Sequence, residues 1–81
     1  MLYEQQIEET KTHQDLNALI EQIAAELAVE IDESVGYAEF AKRLDDASAD
    51  TDNYSEQSRA DYRRMAEVLR AADARLLELD Q

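Results

Sequence analysis

The chain has no cysteine, no proline, no tryptophan and a single glycine, Gly36. Without cysteine there are no disulfides, no thiolate metal sites and no thiol nucleophile. Without proline, and with one glycine, almost nothing in the sequence breaks a helix, so long helices with short joints follow. One glycine also excludes a glycine-rich phosphate loop. Strand signals are missing: no run alternates apolar and polar residues with β-branched enrichment, and no Asn-Gly or Asp-Gly pair marks a hairpin. No apolar run approaches membrane-spanning length, and Met1-Leu2-Tyr3-Glu4 has neither the basic start nor the apolar stretch of a leader, so a cytoplasmic location is expected.

Positive charge is scarce as well. Eight Lys and Arg face 20 Asp and Glu, for a formal charge of −12, and Lys stands only at positions 11 and 42. Residues 1–52 hold 14 acids and 3 bases, a net of −11, whereas residues 53–81 hold 6 acids and 5 bases. The acidity therefore belongs to the first two-thirds of the chain. Direct binding to nucleic acid or to an anionic membrane is disfavoured, because both are polyanions. Solubility and adaptation to salt are two causes of such acidity that involve no partner.

What is present is helical periodicity. Between Ser55 and Leu79, Tyr62, Met65, Leu69, Ala72, Leu76 and Leu79 recur at alternating steps of three and four, which is a heptad seam. Val68 and Leu77 lie beside it and widen it. A second stripe, Leu16, Leu19, Ile20, Ile23 and Leu27, follows Thr12 and Asp15, which are spaced as a capping box. A third comprises Tyr37, Phe40, Ala41 and Leu44. Its first turn contains Gly36, where a glycine admits the close approach of another backbone, and Lys42 and Arg43 fall toward its C-terminal end.

The chain is thus expected to be one all-α domain over residues 1–81, a small antiparallel bundle. Its three main helices span about 12–31, 34–47 and 54–80. Residues 1–11 form a short N-terminal helix or arm on the bundle edge, because Leu2, Tyr3 and Ile7 are out of phase with the stripe that follows. Ser48–Tyr54 is the clearest loop, and Asn53 or Ser55 starts the last helix. Glu56/Arg59, Arg63/Glu67 and Glu67/Arg70 are spaced for surface pairs.

No reaction is legible. His13 is the only histidine, and with Glu9 four residues earlier it offers two ligands at most. No base–nucleophile pair is visible, so no enzyme, no cofactor and no metal are expected. Asp32-Glu33-Ser34-Val35 lacks the Asp-Ser-Leu core of an acyl-carrier attachment site. Asp46-Ala47-Ser48-Ala49-Asp50-Thr51-Asp52 resembles the opening of a helix–loop–helix calcium site. However, Thr51 stands where the turn needs glycine, and Gln57 stands where a bidentate Glu closes the cage, so such a module would bind weakly.

The expected function is that of a small acidic inhibitor that binds another protein with a basic surface and blocks a groove made for nucleic acid. Rows of carboxylates at helical spacing stand in for phosphates, and steering speeds association. In composition the chain is similar to small phage-borne inhibitors of host defence or nucleases, a likeness of class only. The residues expected to carry binding are Glu21, Glu26, Glu30, Asp32, Glu33 and Glu39, followed by Asp45, Asp46, Asp50 and Asp52. The alternative is an assembly adaptor or homodimer that uses apolar surface, with Leu2, Tyr3, Ile7, Leu76, Leu77 and Leu79 as the contact.

Overall fold

A computed structural model describes residues 2–32 and 34–80. Its four helices are α1 (Tyr3–Glu9), α2 (His13–Glu26), α3 (Tyr37–Ser48) and α4 (Glu56–Leu79). Among the described residues there is no strand, and no helix is long and apolar enough to cross a membrane. The heptad seam becomes α4, and the other three helices all pack on it. At 24 residues α4 is about 36 Å long at 1.5 Å per residue, so it accounts for most of the 42 Å long axis of the molecule.

Ion pairs and hydrogen bonds set the direction of each helix. Glu4 meets Arg64 and the Thr10 carbonyl meets Arg75, so α1 runs parallel to α4. His13 meets Asp80 at the far end of α4, and Glu26 returns to Tyr3, so α2 runs antiparallel to both. α3 forms an antiparallel hairpin with α4, with Asp45 paired to Arg70.

Each stripe of the sequence contributes to one core. Leu16, Ile20 and Ile23 come from α2, Phe40, Ala41 and Leu44 from α3, and Met65, Leu69 and Ala72 from α4. Ile7 joins them from α1 and is 1% exposed. The N-terminal segment is therefore a helix docked into the core. Tyr3, Leu76 and Leu79 are also half-buried against it. Of the apolar residues suited to an adaptor contact, Leu2 and Leu77 alone remain well exposed, each at 61%. Val68 is fully buried while Leu77 faces outward, so the seam widens on one side only.

The ends of the helices differ from the periodicity in informative ways. Thr12 caps α2 as its spacing predicts, its hydroxyl accepting from the Asp15 amide at 3.1 Å. α2 ends at Glu26 rather than near residue 31. Ala28 takes a left-handed φ of 56°, with the Ala28 amide bonded to the Ala25 carbonyl and the Val29 amide to the Ala24 carbonyl. This is a Schellman stop with alanine where glycine is usual. Val29 then turns in to be buried, its apolar contact closing the motif. Ala28 is exposed, so replacing it loses no packing. Ala28→Gly is expected to raise stability by about 0.5–1 kcal/mol by relieving the left-handed strain. Urea unfolding checks this, and a lowered midpoint would show that the turn is not held in solution.

α3 begins at Tyr37, three residues later than the pattern predicts. Asp32 holds the Ser34 amide and hydroxyl in a local turn instead of capping the helix. Gly36 is the N-cap, with extended backbone. A Cβ added there would meet nothing within 4 Å, so no close backbone approach requires glycine at this position. The helix runs one residue past its expected end, to Ser48. Lys42 and Arg43 are therefore mid-helix, and its last turn carries no base. α4 is capped by Ser55, which accepts from the Ser58 amide at 3.1 Å, rather than by Asn53.

Candidate functional site

The ten carboxylates expected to face a partner do not form one row. Glu21 is exposed on α2, and Glu30 and Asp32 lie in the linker between α2 and α3. Glu39 is in the first turn of α3, next to this linker. Asp45 and Asp46 are near the other end of α3, and Asp50 and Asp52 follow in the loop to α4. Glu39 and Asp45, one from each group, are about 9 Å apart along the α3 axis at 1.5 Å per residue. Glu26 stands apart at the end of α2 and accepts from the Tyr3 hydroxyl at 2.9 Å. Glu33 lies outside the described residues.

Several of these groups are held by the chain's own cations. Arg43 reaches Asp32 at 3.3 Å and Glu39 at 3.8 Å, and Arg70 pairs with Asp45. Asp50 accepts from the Asp52 and Asn53 amides and from the Asn53 side chain, so its carboxylate braces the loop. The Asn53 side chain, followed by the two amides, holds the Asp50 carboxyl below its ordinary value. Asp32 is also lowered, chiefly by the Ser34 hydroxyl. Glu21, Glu30, Asp46 and Asp52 have no ion-pair partner among the described residues.

Two of the α4 arginines, Arg64 and Arg75, reach back to the N-terminal segment. Arg64 clamps Glu4 with both terminal nitrogens, at 2.6 and 3.0 Å, bonds Glu67 at 2.9 Å and lies 5.2 Å from the centre of the Tyr3 ring. That hydrogen bonding lowers the Glu4 carboxyl and raises the Arg64 guanidinium. Arg75 donates from Nε and Nη2 to the Thr10 carbonyl and pairs with Glu78. None of the three surface pairs expected from spacing on α4 forms among the described residues. Glu67 is taken by Arg64 and Arg70 by Asp45.

One concave feature lies beside the first acidic group. No Cα of α2 comes within 8 Å of one in α3, although both pack on α4. The gap between them is a groove of about 520 Å³. Leu69 and Leu76 of α4 line it together with Ile20 of α2, Phe40 of α3, and Ile31 and Val35 of the linker. Glu21, Asp32, His13 and Asn17 add polar groups to this lining. The Tyr37 hydroxyl donates to Asn17 and ties the two walls together at one point. Burial pushes the Tyr37 hydroxyl upward in pKa, and the nearby charge of Glu21 adds to this.

The remaining candidates are accounted for locally. His13 sits 2.7 Å from Asp80. Among the described residues no three His, Cys, Asp or Glu side chains are grouped to hold a metal ion. The groove residues Asn17, Ile31, Val35 and Tyr37 are not legible as a site in the sequence, because the groove arises where three segments meet. The one local signal is the pair of branched apolar residues, Ile31 and Val35, around the turn-forming Asp32. No protein-family model, curated protein or solved structure matches the chain.

Proposed function

We propose that this protein is a small acidic inhibitor that binds another protein and covers a basic groove, of the kind that holds nucleic acid. The observation that best supports this reading is how the cations are used. Four of the eight basic side chains, Arg43, Arg64, Arg70 and Arg75, pair with acids of the chain, whereas Glu21, Glu30, Asp46 and Asp52 face solvent without a partner among the described residues. The fold thus leaves its surplus of negative charge at the surface. A basic partner would relieve that self-repulsion and be steered toward it. The reading resembles DNA mimicry of the phage anti-defence type and needs neither cofactor nor catalysis.

The experiment is affinity capture from a lysate of the source organism, eluted with a salt gradient. A nucleic-acid-binding protein is expected to elute early and to be displaced by duplex DNA. Reversing Glu21, Glu30, Asp46 and Asp52 to Lys is expected to weaken binding to the captured protein about tenfold or more and to flatten its dependence on salt. Unchanged binding by that variant would remove the proposal. The adaptor alternative predicts binding that persists at high salt, but most of the apolar residues it requires are packed into the core.

A further inference from the structure

We infer that the groove between α2 and α3 receives a basic amphipathic helix of the partner, its apolar side chains set against Ile31, Val35 and Leu76 and its Lys or Arg residues against Glu21 and Asp32. This rests on the reading of the chain as a binder of a basic surface, and it specifies what part of that surface is gripped.

Three observations carry it. First, the walls are joined only at the Tyr37–Asn17 hydrogen bond. α2 and α3 each pack on α4 and otherwise stay apart, leaving a gap of about 520 Å³. Second, the lining is apolar where α4, Ile31 and Val35 meet, and this is the chemistry that accepts the anchor side chains of a helix. Third, the charge around it is negative. Glu21 has no cation partner among the described residues, and Asp32, which also holds Ser34, has the exposed Arg43 at 3.3 Å. Apolar lining with acidic groups beside it rejects phosphates and acidic helices and accepts cationic ones. A second copy of the chain is the wrong partner by the same argument, since it would bring a further −12 to the contact.

The test is a titration of the whole isotope-labelled chain, followed by amide NMR, with two synthetic peptides of equal length and charge. One arranges leucine and lysine as an amphipathic helix, and the other replaces every leucine with serine. With the leucine–lysine peptide, the amides of Asn17, Glu21, Val35 and Tyr37 are expected to shift and saturate. The lysine–serine peptide is expected to bind about tenfold more weakly. Glu21→Lys and, separately, Ile31→Ser are each expected to weaken the leucine–lysine peptide about fivefold or more. Val35→Ser serves in place of Ile31→Ser if that variant does not fold. Equal binding of both peptides, or shifts centred on Asp46 to Asp52, would overturn the inference. So would a dimer by sedimentation with the groove amides shifted in the absence of peptide. If the captured target binds Ile31→Ser normally but is lost on reversal of the exposed carboxylates, the groove inference fails and the inhibitor reading stands. If the groove takes the peptide but carboxylate reversal leaves target binding unchanged, the inhibitor reading fails instead.

Discussion

Ile7→Ala is expected to lower the stability of the whole domain by about 3 kcal/mol, the usual cost of truncating a fully buried isoleucine. Ile7 is 1% exposed and belongs to the same cluster as Leu16, Ile20 and Leu69. Its helix is seven residues long, far below the length at which a helix is stable alone. α1 therefore exists because it is docked, and Ile7 is its one fully buried side chain. A chain of 81 residues has a stability of about 4–12 kcal/mol, so the loss is a large fraction of it. The melting temperature should fall by roughly 12–24 °C. Leu2→Ala, at an exposed position beside the same helix, should change stability by no more than about 0.5 kcal/mol. If Ile7→Ala cost less than about 1 kcal/mol in urea unfolding, α1 would be an arm detached from the bundle in solution.

Arg75→Met is expected to cost about 1–3 kcal/mol, the penalty for leaving a buried acceptor without its donors. Two nitrogens of Arg75 converge on the Thr10 carbonyl, at 3.2 and 2.6 Å, and Thr10 is 8% exposed. Water therefore has little access to replace them. Thr10 follows the last residue of α1, where carbonyls lack intrahelical partners and a cation is favoured. Methionine keeps most of the aliphatic stem, so the variant isolates the polar contact. Arg75→Lys should recover part of the loss, because one ammonium reaches the carbonyl but does not reproduce the two-pronged geometry. Hydrogen exchange at the Ile7 and Thr10 amides should accelerate in Arg75→Met. Unchanged stability and exchange would show that the contact is not formed in solution.

The second result bears on function, because it concerns how the chain uses its few cations. From the sequence, only Arg59, Arg63 and Arg70 of the last helix have a pairing partner assigned by spacing, in each case an acid one turn away. In the fold, Arg64 reaches back to Glu4 and Arg75 to Thr10. Such contacts, 60 and 65 residues apart in the chain, have no local pattern. Their consequence is that the acidic groups on α2, the linker and the end of α3 are only partly neutralised. Glu39 and Asp45 look equivalent to Glu21 and Asp46 on the sequence. The first two are ion-paired and the others are not, because Arg43 and Arg70 lie within reach of only some carboxylates.

By itself, the sequence determined the helical class, the apolar stripes, the cap at Thr12 and the excess of charge, and it left the cap of α4 open between Asn53 and Ser55. These depend on residue type and on spacing of a few positions, which periodicity and capping chemistry resolve. Only the tertiary structure decided that α1 docks through Ile7, that α2 stops at a left-handed Ala28, and that α2 and α3 flank α4 without meeting. The stop at Ala28 is invisible to propensity, since alanine is the best helix former and takes the left-handed turn only because Val29 is drawn into the core. The groove follows from that early stop. The linker that begins after Glu26 leads to the start of α3 and sets Ile31 and Val35 between the two walls. Where a cavity depends on three segments that are distant in the chain, no local pattern encodes it, and packing on α4 supplies the reason it is there.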